Sequence, residues 1–596
     1  MESASSPDTL LPAANTNTVP LLDRTPGRTR PRAQAATRSG LASLLWTFAA
    51  MALGATLRLP ETLNSRFPLG DGGMFYVMVH ELGANHFAIP AYTSYDGLHI
   101  PFDYPPFGFY LVATLHLLFA WPVLDIFRFL PAFMSVATIG AFALLAFSVL
   151  PSRVAAIASV FVFAIDFDAF EWQIKAGGIT RSPGMFFALL FLWVVVLTLK
   201  SGGWRYVPIA AALAALTALS HLEWTWFSAI TVCVFLVLSG RNRRSLLQMA
   251  AVLAGALVLL SPWLHLVLSR TGVAPFMAAM GGSSAVAPWY VQLISLVELN
   301  LSTQVILSVP ALLAVFGTVA LLARRQFLIP VWFVAIFMTT SRGSDEKDVI
   351  VLALLAGAGV AFVLIPLTKG DSTFGRLQSA PVRYLLPCLL GLFVFQSWVA
   401  TGVSASLMEI SLSPRQKAAM IWVRDHTPAK SQFLVLSGSP DWPHEVVGEW
   451  FYAFADRKSI ATVQGTEWLP NGFPRAVRAY NAERKCAYRG AACVERWLTK
   501  YGRNVSYVFV ANGHAPLASP APQLWQLSCC ASLTASLEGS RDFVRVFEGP
   551  GATVFKVISP TRRADRGRVP LRLSNFVRSP RVPQVVHPVA LQWDCC

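Results

Sequence analysis

A chain of 596 residues that is 54% hydrophobic and 13% charged, with mean hydropathy +0.52, is not a water-soluble globular protein. Soluble domains carry about 25% charged residues, so most of this chain belongs in a lipid bilayer. The net charge of +16 is scattered over short loops and both tails, which orients a membrane protein and does not mark a nucleic-acid-binding surface.

Residues 1–40, rich in Pro, Thr, Ala and Arg, read as a disordered basic tail and not as a cleavable signal. Apolar residues begin at Leu41, and from there about eleven runs qualify as membrane spans by composition and length. They lie near 41–59, 130–150, 154–170, 183–199, 206–220, 224–239, 246–268, 304–322, 327–340, 348–367 and 384–402. The expected organisation is a mainly α transmembrane domain over 41–403, with a first outer loop at 60–128. A small α/β domain over 404–560 and a basic, disordered tail over 561–596 follow.

Arg24, Arg28, Arg30, Arg32 and Arg38 precede the first span, which places the N-terminus in the cytoplasm. Residues 106–121 form an ambiguous apolar run that carries His116 and stops at Pro122. If this run crosses the membrane, the basic clusters at 239–244 and 323–325 fall outside. If it lies along the outer interface, those clusters fall inside, and Asp71, Glu81, Asp96, Asp103, Asp166, Asp168, Glu171, Glu223, Glu298, Asp345, Glu346 and Asp348 gather on the outer face. The second arrangement obeys the charge rule and is adopted. It makes a multi-pass protein of the plasma or inner membrane with an external C-terminal domain.

Four polar stretches stand on that outer face: 70–106, 170–184, 219–226 and 339–348. In the first, Asp71 sits among Gly70, Gly72 and Gly73, which allow close backbone approach. It is either an N-cap for a helix over 73–82 or a general base that takes a proton from an attacking hydroxyl or amine. Arg181 and Lys347 are candidate partners for a phosphate, and Gly177 and Gly178 let backbone amides approach a ligand. His99, Asp103, Tyr104, His221 and Glu223 are candidate pocket-lining groups. Asp166 and Asp168 are the alternative for a divalent cation. On a helix they face different directions, and no cofactor is favoured.

These stretches together resemble the GT-C superfamily of membrane glycosyltransferases, most closely bacterial relatives of protein O-mannosyltransferases and of the lipid A aminoarabinose transferase. The resemblance spans roughly residues 40–400: an acid early in a long first outer loop, a Pro-rich junction at Pro105-Pro106, a Gly-rich second loop and a basic residue before a late span. It implies sugar transfer from a polyprenyl-phosphate donor at the outer membrane face to a protein, lipid or glycan acceptor. By that likeness Asp71 is the catalytic base and Arg342 the phosphate-binding basic residue. It also implies interfacial helices in the first loop, in keeping with the second arrangement.

In the C-terminal part, 413–428 reads as a helix capped by Ser413, 431–438 and 505–513 as strands, and 543–558 as a hairpin turning at Gly549-Pro550-Gly551. Six of the eight cysteines lie there, and Cys486–Cys493 is the expected disulfide. No nucleotide-binding or hydrolase motif is present. Two rival functions stand beside the transferase: a lipid-linked glycan transporter or flippase, and a non-catalytic glycan-assembly protein.

Overall fold

The computed structural model describes residues 32–240, 242–282, 289–297, 308–339, 344–369, scattered positions between 384 and 399, 411–439, 441–502, 504–512 and 530–558. Helix α1 (Arg32–Asn64) starts inside the segment read as a tail. It is followed by α2 (Gly73–Ala84), α3 (Phe107–Phe119), α4 (Val123–Val149), α5 (Arg153–Ile165), α6 (Gly178–Ser201) and α7 (Val207–Ser220). Then come α8 (Leu222–Ser239), α9 (Arg243–Thr271), α10 (Ala274–Gly282), α11 (Trp289–Val297), α12 (Val309–Ala323), α13 (Leu328–Thr339) and α14 (Ser344–Gly359). The last of these continues through a π turn at Val360–Leu364.

Six of these helices are long and apolar enough to cross a membrane: Gly40–Asn64, Val123–Val149, Gly178–Ser201, Leu222–Ser239, Arg243–Thr271 and Glu346–Thr368. Four other expected spans are occupied by the shorter apolar helices α5, α7, α12 and α13. The eleventh, 384–402, lies largely outside the described residues. Polar caps set several helix starts. Ser152 and Ser308 accept from the N–H groups of Ala155 and Ala311, and Asn242 accepts from Ser245 at 2.8 Å.

Residues 106–121 do not cross the bundle. Arg128, near the start of α4, donates to the carbonyls of Thr62 and Leu63 at the end of α1, at 2.8 and 2.7 Å. The chain therefore leaves α1 and enters α4 at the same end. Helix α3, at 13 residues, is about 20 Å long against a hydrocarbon core of about 30 Å.

At the same end, Arg58 of α1 is fully buried and donates to the carbonyls of Ala164 and Phe163 at 2.5 and 3.3 Å. These are last-turn carbonyls of α5 with no partner of their own in the helix. The guanidinium also lies 4.3 Å from the Phe170 ring centroid. This cation holds down the loop between α5 and α6.

Helix α14 is the bundle's centre, with 72% of its apolar window buried. Small residues allow it to pass close to its neighbours. A Cβ on Gly317 of α12 would stand 1.8 Å from the Leu355 carbonyl, and one on Gly357 would stand 2.3 Å from the Ala155 carbonyl of α5.

The C-terminal part forms one five-stranded sheet. In chain order the strands after the first-loop pair β1 (Tyr92–Thr93) and β2 (Ile100–Pro101) are β3 (Gln432–Leu436), β4 (Lys458–Ser459), β5 (Tyr507–Ala511), β6 (Phe543–Glu548) and β7 (Ala552–Val557). Their order is β4-β3-β5-β7-β6, with β4, β3 and β5 parallel and β7 and β6 antiparallel. Ser413 and Gln416 form a capping box on the helix Pro414–His426. Cys486 and Cys493 are disulfide-bonded.

This domain is not tethered at a distance. One apolar core runs from Met74 and Phe75 of α2 through Tyr95 to Trp450, Phe451 and Phe433. A Gly317→Val exchange is expected to cost about 1–3 kcal/mol by overpacking and to lower the melting temperature in detergent. Gly40→Val, with no atom within 4 Å of its Cβ, should leave the melting temperature unchanged.

Candidate active site

The loop Leu69–Gly73 is pressed between the bundle and the sheet domain. Gly70 has φ +57°, a conformation that L side chains rarely adopt. Ala176 N–H donates to Leu69 O and Gly177 N–H to Asp71 O, each at 2.8 Å. The loop between α5 and α6 is thereby stitched to the loop between α1 and α2.

Asp71 is 5% exposed. Its carboxylate receives both guanidinium arms of Arg181: Nη1 reaches Oδ1 at 3.1 Å, and Nη2 bonds Oδ2. Arg181 is placed by the first turn of α6, whose leading N–H groups, those of Gly178, Ile179 and Thr180, donate to the carbonyls of Lys175, Ala176 and Gly177. Gly177 makes room for the pair, because a Cβ there would lie 2.8 Å from both the Asp71 carboxylate and the Arg181 guanidinium. Gly177 thus fits the carboxylate of Asp71 against the loop, where the sequence suggested an opening for a ligand. Burial raises the Asp71 carboxyl, but the Arg181 guanidinium, with Lys175 and the Gly177 N–H, more than offsets this and holds it below the usual carboxylate range.

Asp71 does not cap α2. The N-cap position is Gly72, which has no side-chain bond of its own. The cap comes from Glu449 of the sheet domain, whose Oε1 accepts from Gly72 N–H at 2.6 Å and Gly73 N–H at 3.1 Å. Burial, followed by the nearby Asp71 charge, pushes the Glu449 carboxyl well above its ordinary range.

Beside this pair lies a polar layer built from three further segments. Trp172 carries Lys175 Nζ at 3.6 Å over its ring and Arg181 at 5.3 Å, and the ring of His444 from the sheet domain lies 5.6 Å away. Lys175, 1% exposed, pairs with Glu171 at 3.1 Å. Gln173 donates to Glu346 at 3.1 Å, and Lys347 pairs with Glu223 at 2.7 Å. Lys347 and Glu223, read from the sequence as separate ligand-binding groups, therefore neutralise each other. Arg342 lies outside the described residues.

The remaining candidates divide. Tyr104 approaches Thr180 Oγ1 at 3.5 Å, one residue before Arg181, and its ring stands 6.2 Å from His221. Burial pushes its hydroxyl up to about 12. Asp103 is turned away to accept from Thr271 at the end of α9 at 2.6 Å, and burial raises its carboxyl. His99 is exposed, 6.1 Å from the Tyr92 ring, and is not brought to the site. Asp166 uses its carboxylate to cap the turn at Phe167–Ala169, accepting from Asp168 N–H at 3.2 Å. Among the described residues, no three His, Cys, Asp or Glu side chains are grouped to hold a metal ion.

No family model matches the chain, and no curated protein sequence matches it. Solved structures do. The archaeal oligosaccharyltransferase AglB from Archaeoglobus fulgidus, in complex with an inhibitory peptide and a dolichol-phosphate, aligns at TM-score 0.52 and 14% identity over 78% of this chain and 69% of its own. The arabinofuranosyltransferase AftD from Mycobacteria aligns at TM-score 0.54 and 15% identity over 86% of this chain and 40% of its own. At such identities the likeness establishes the fold. The chain is a multi-pass membrane protein that shares the fold of these two transferases.

Asp96 provides a pH test of the contact between loop and sheet domain. It is fully buried at φ 49°, and its Oδ1 accepts from Ser459 N–H at 3.0 Å. Burial pushes its carboxyl up to about 7, against the Ser459 N–H and the Lys458 charge. The folded state then binds the extra proton between about pH 4 and 7, so stability falls as pH rises through that window and the loss is complete above it. Asp96→Asn, which tolerates the same backbone, is expected to abolish this slope. Parallel melting curves for the two proteins across pH 4–8 would contradict it.

Proposed function

We propose that the protein transfers a sugar from a polyprenyl-phosphate donor to a protein, lipid or glycan acceptor at the face of the membrane that carries the sheet domain. The observation that carries this reading is the pairing of buried Asp71 with partly buried Arg181 where the loop after α1 meets the start of α6. Inverting transfer of this kind needs a base for the acceptor's proton and a cation for the departing phosphate, and the pair supplies one of each. The fold is shared with AglB, which is described in complex with a peptide and a dolichol-phosphate.

The reaction balances on these two residues. The acceptor oxygen or nitrogen attacks the anomeric carbon and forms the new glycosidic bond. Its proton passes to the Asp71 carboxylate. The bond from the anomeric carbon to phosphate oxygen breaks, and its electron pair leaves with the polyprenyl phosphate. Arg181 accepts that developing charge through its planar fork. As the guanidinium turns to the phosphate, its hold on Asp71 weakens and the carboxylate becomes a stronger base when the proton must be taken. Tyr104, beside Thr180, fits the role of a sugar-orienting hydroxyl.

Membrane orientation follows from the charges. Arg153, Lys200, Arg205, Arg243, Arg244, Arg324 and Arg325 flank helix ends opposite the site. Lys200 there donates to Ser148 O at 2.5 Å, and Gln248 to Gly202 O at 2.9 Å. By the positive-inside rule these charges support a reading with this end and the N-terminus in the cytoplasm and the site outside.

The test uses the purified full-length protein in lipid nanodiscs, radiolabelled polyprenyl-phosphate sugars and a membrane extract as acceptor. Asp71→Asn is expected to reduce transfer by about 10²–10⁴-fold while donor binding persists. Arg181→Gln should weaken donor binding and turnover together, and Arg181→Lys should restore part of both. Wild-type transfer rates in Asp71→Asn would overturn the assignment of the base.

A further inference from the structure

The sheet domain grips the backbone on both sides of Asp71. Trp450 Nε1 donates to Gly70 O at 3.0 Å on one side. On the other, Glu449 Oε1 accepts from the N–H groups of Gly72 and Gly73. The Glu449 carbonyl itself accepts from Tyr95 OH at 2.7 Å, which ties the same turn to the first outer loop a second time. The approach is close enough to exclude side chains: a Cβ on Gly73 would stand 2.3 Å from Glu449 O, and one on Gly72 would stand 3.1 Å from the Trp450 ring. The start of α2 has no cap from its own segment, so without Glu449 its first N–H groups would be buried without partners.

We propose that Glu449 is a positioning residue for Asp71: by capping α2 it fixes the Gly70–Gly73 turn that presents the Asp71 carboxylate to Arg181, which makes the sheet domain a working part of the site. This rests on Asp71 acting as the base. Trp450 is the second half of the clamp. The chemistry asked of Glu449 is hydrogen-bond acceptance at Oε1, and glutamine supplies the same acceptor. The negative charge is not required, because burial and the Asp71 charge favour the protonated carboxyl.

The test compares wild type, Glu449→Ala, Glu449→Gln and Trp450→Phe as full-length proteins in nanodiscs. Two readouts are taken: transfer kinetics, and hydrogen–deuterium exchange at residues 69–76. Glu449→Ala is expected to lower kcat by about 10²-fold, the cost of misplacing a reacting group by roughly 1 Å, with KM for the donor nearly unchanged. It should also lose amide protection at the start of α2 alone. Glu449→Gln should rescue both readouts, and Trp450→Phe should lower kcat less than Glu449→Ala while its melting temperature stays near wild type.

Wild-type kcat in Glu449→Ala, with Asp71→Asn inactive, would overturn the positioning role and leave the transferase reading intact. Equal damage in Glu449→Gln and Glu449→Ala would also overturn it, by showing that the charge and not the acceptor matters. If wild type transfers no sugar from any donor, the transferase reading falls. The exchange data then decide alone, and unchanged protection in Glu449→Ala would refute the clamp. Should Glu449→Ala fail to fold, Trp450→Phe carries the same comparison, and wild-type kcat and protection there would refute the clamp.

Discussion

The structure turns on a buried carboxylate held by a partly buried guanidinium. Asp71 and Arg181 lie 110 residues apart in the chain and meet in two parallel hydrogen bonds. Breaking such a pair by removing one partner costs about 3–5 kcal/mol, because a buried charge is left alone. The surrounding residues are arranged to prevent that. Gly177 leaves space for the carboxylate, Lys175 adds positive charge, and Arg58 pins the loop that delivers Arg181. A buried ion pair is poor evidence of stability. What distinguishes this pair is its placement, where two loops, the bundle and the sheet domain converge.

The sheet domain supplies the other half of the constraint. Its strands and apolar core make it a domain, but its helix Val446–Ala455 is shared with the site. Trp450 and Glu449 hold the backbone before and after Asp71, and the N–H groups of Ala176 and Gly177 bond to the carbonyls of Leu69 and Asp71. The backbone of this loop is bonded at Leu69, Gly70, Asp71, Gly72 and Gly73. Motion of the Arg181 side chain, and not opening of the domain, is the step this geometry favours.

Much of the architecture was legible in the sequence because hydropathy is a local property. The apolar runs located the bundle helices, and the alternation of acidic and basic loops kept residues 106–121 at one end. The glycines around Asp71 singled it out for the same reason. Strands β3 and β5 and the β6–β7 hairpin were visible as apolar runs with turn residues between them. The α/β character of the C-terminal part followed from these.

What escaped were partnerships across long sequence separations. Nothing near Glu449 signals that it returns over 377 residues to cap α2, so Asp71 was given the cap as an alternative role. Lys347 and Glu223 each looked like a ligand-binding group, and only their spatial pairing shows that they neutralise each other. His99 stood in a polar stretch yet points to solvent. Arg58 did carry a signal, a lone cation inside an apolar helix, where a charge near membrane depth calls for a named partner.

The most direct measurement is an experimental structure of the protein with a polyprenyl phosphate bound. The expected result places the phosphate oxygens within hydrogen-bond distance of the Arg181 guanidinium, with Asp71 released from it and facing an open acceptor site. A bound phosphate elsewhere, with Arg181 still clasped to Asp71, would contradict the central claim and make the pair a structural element alone.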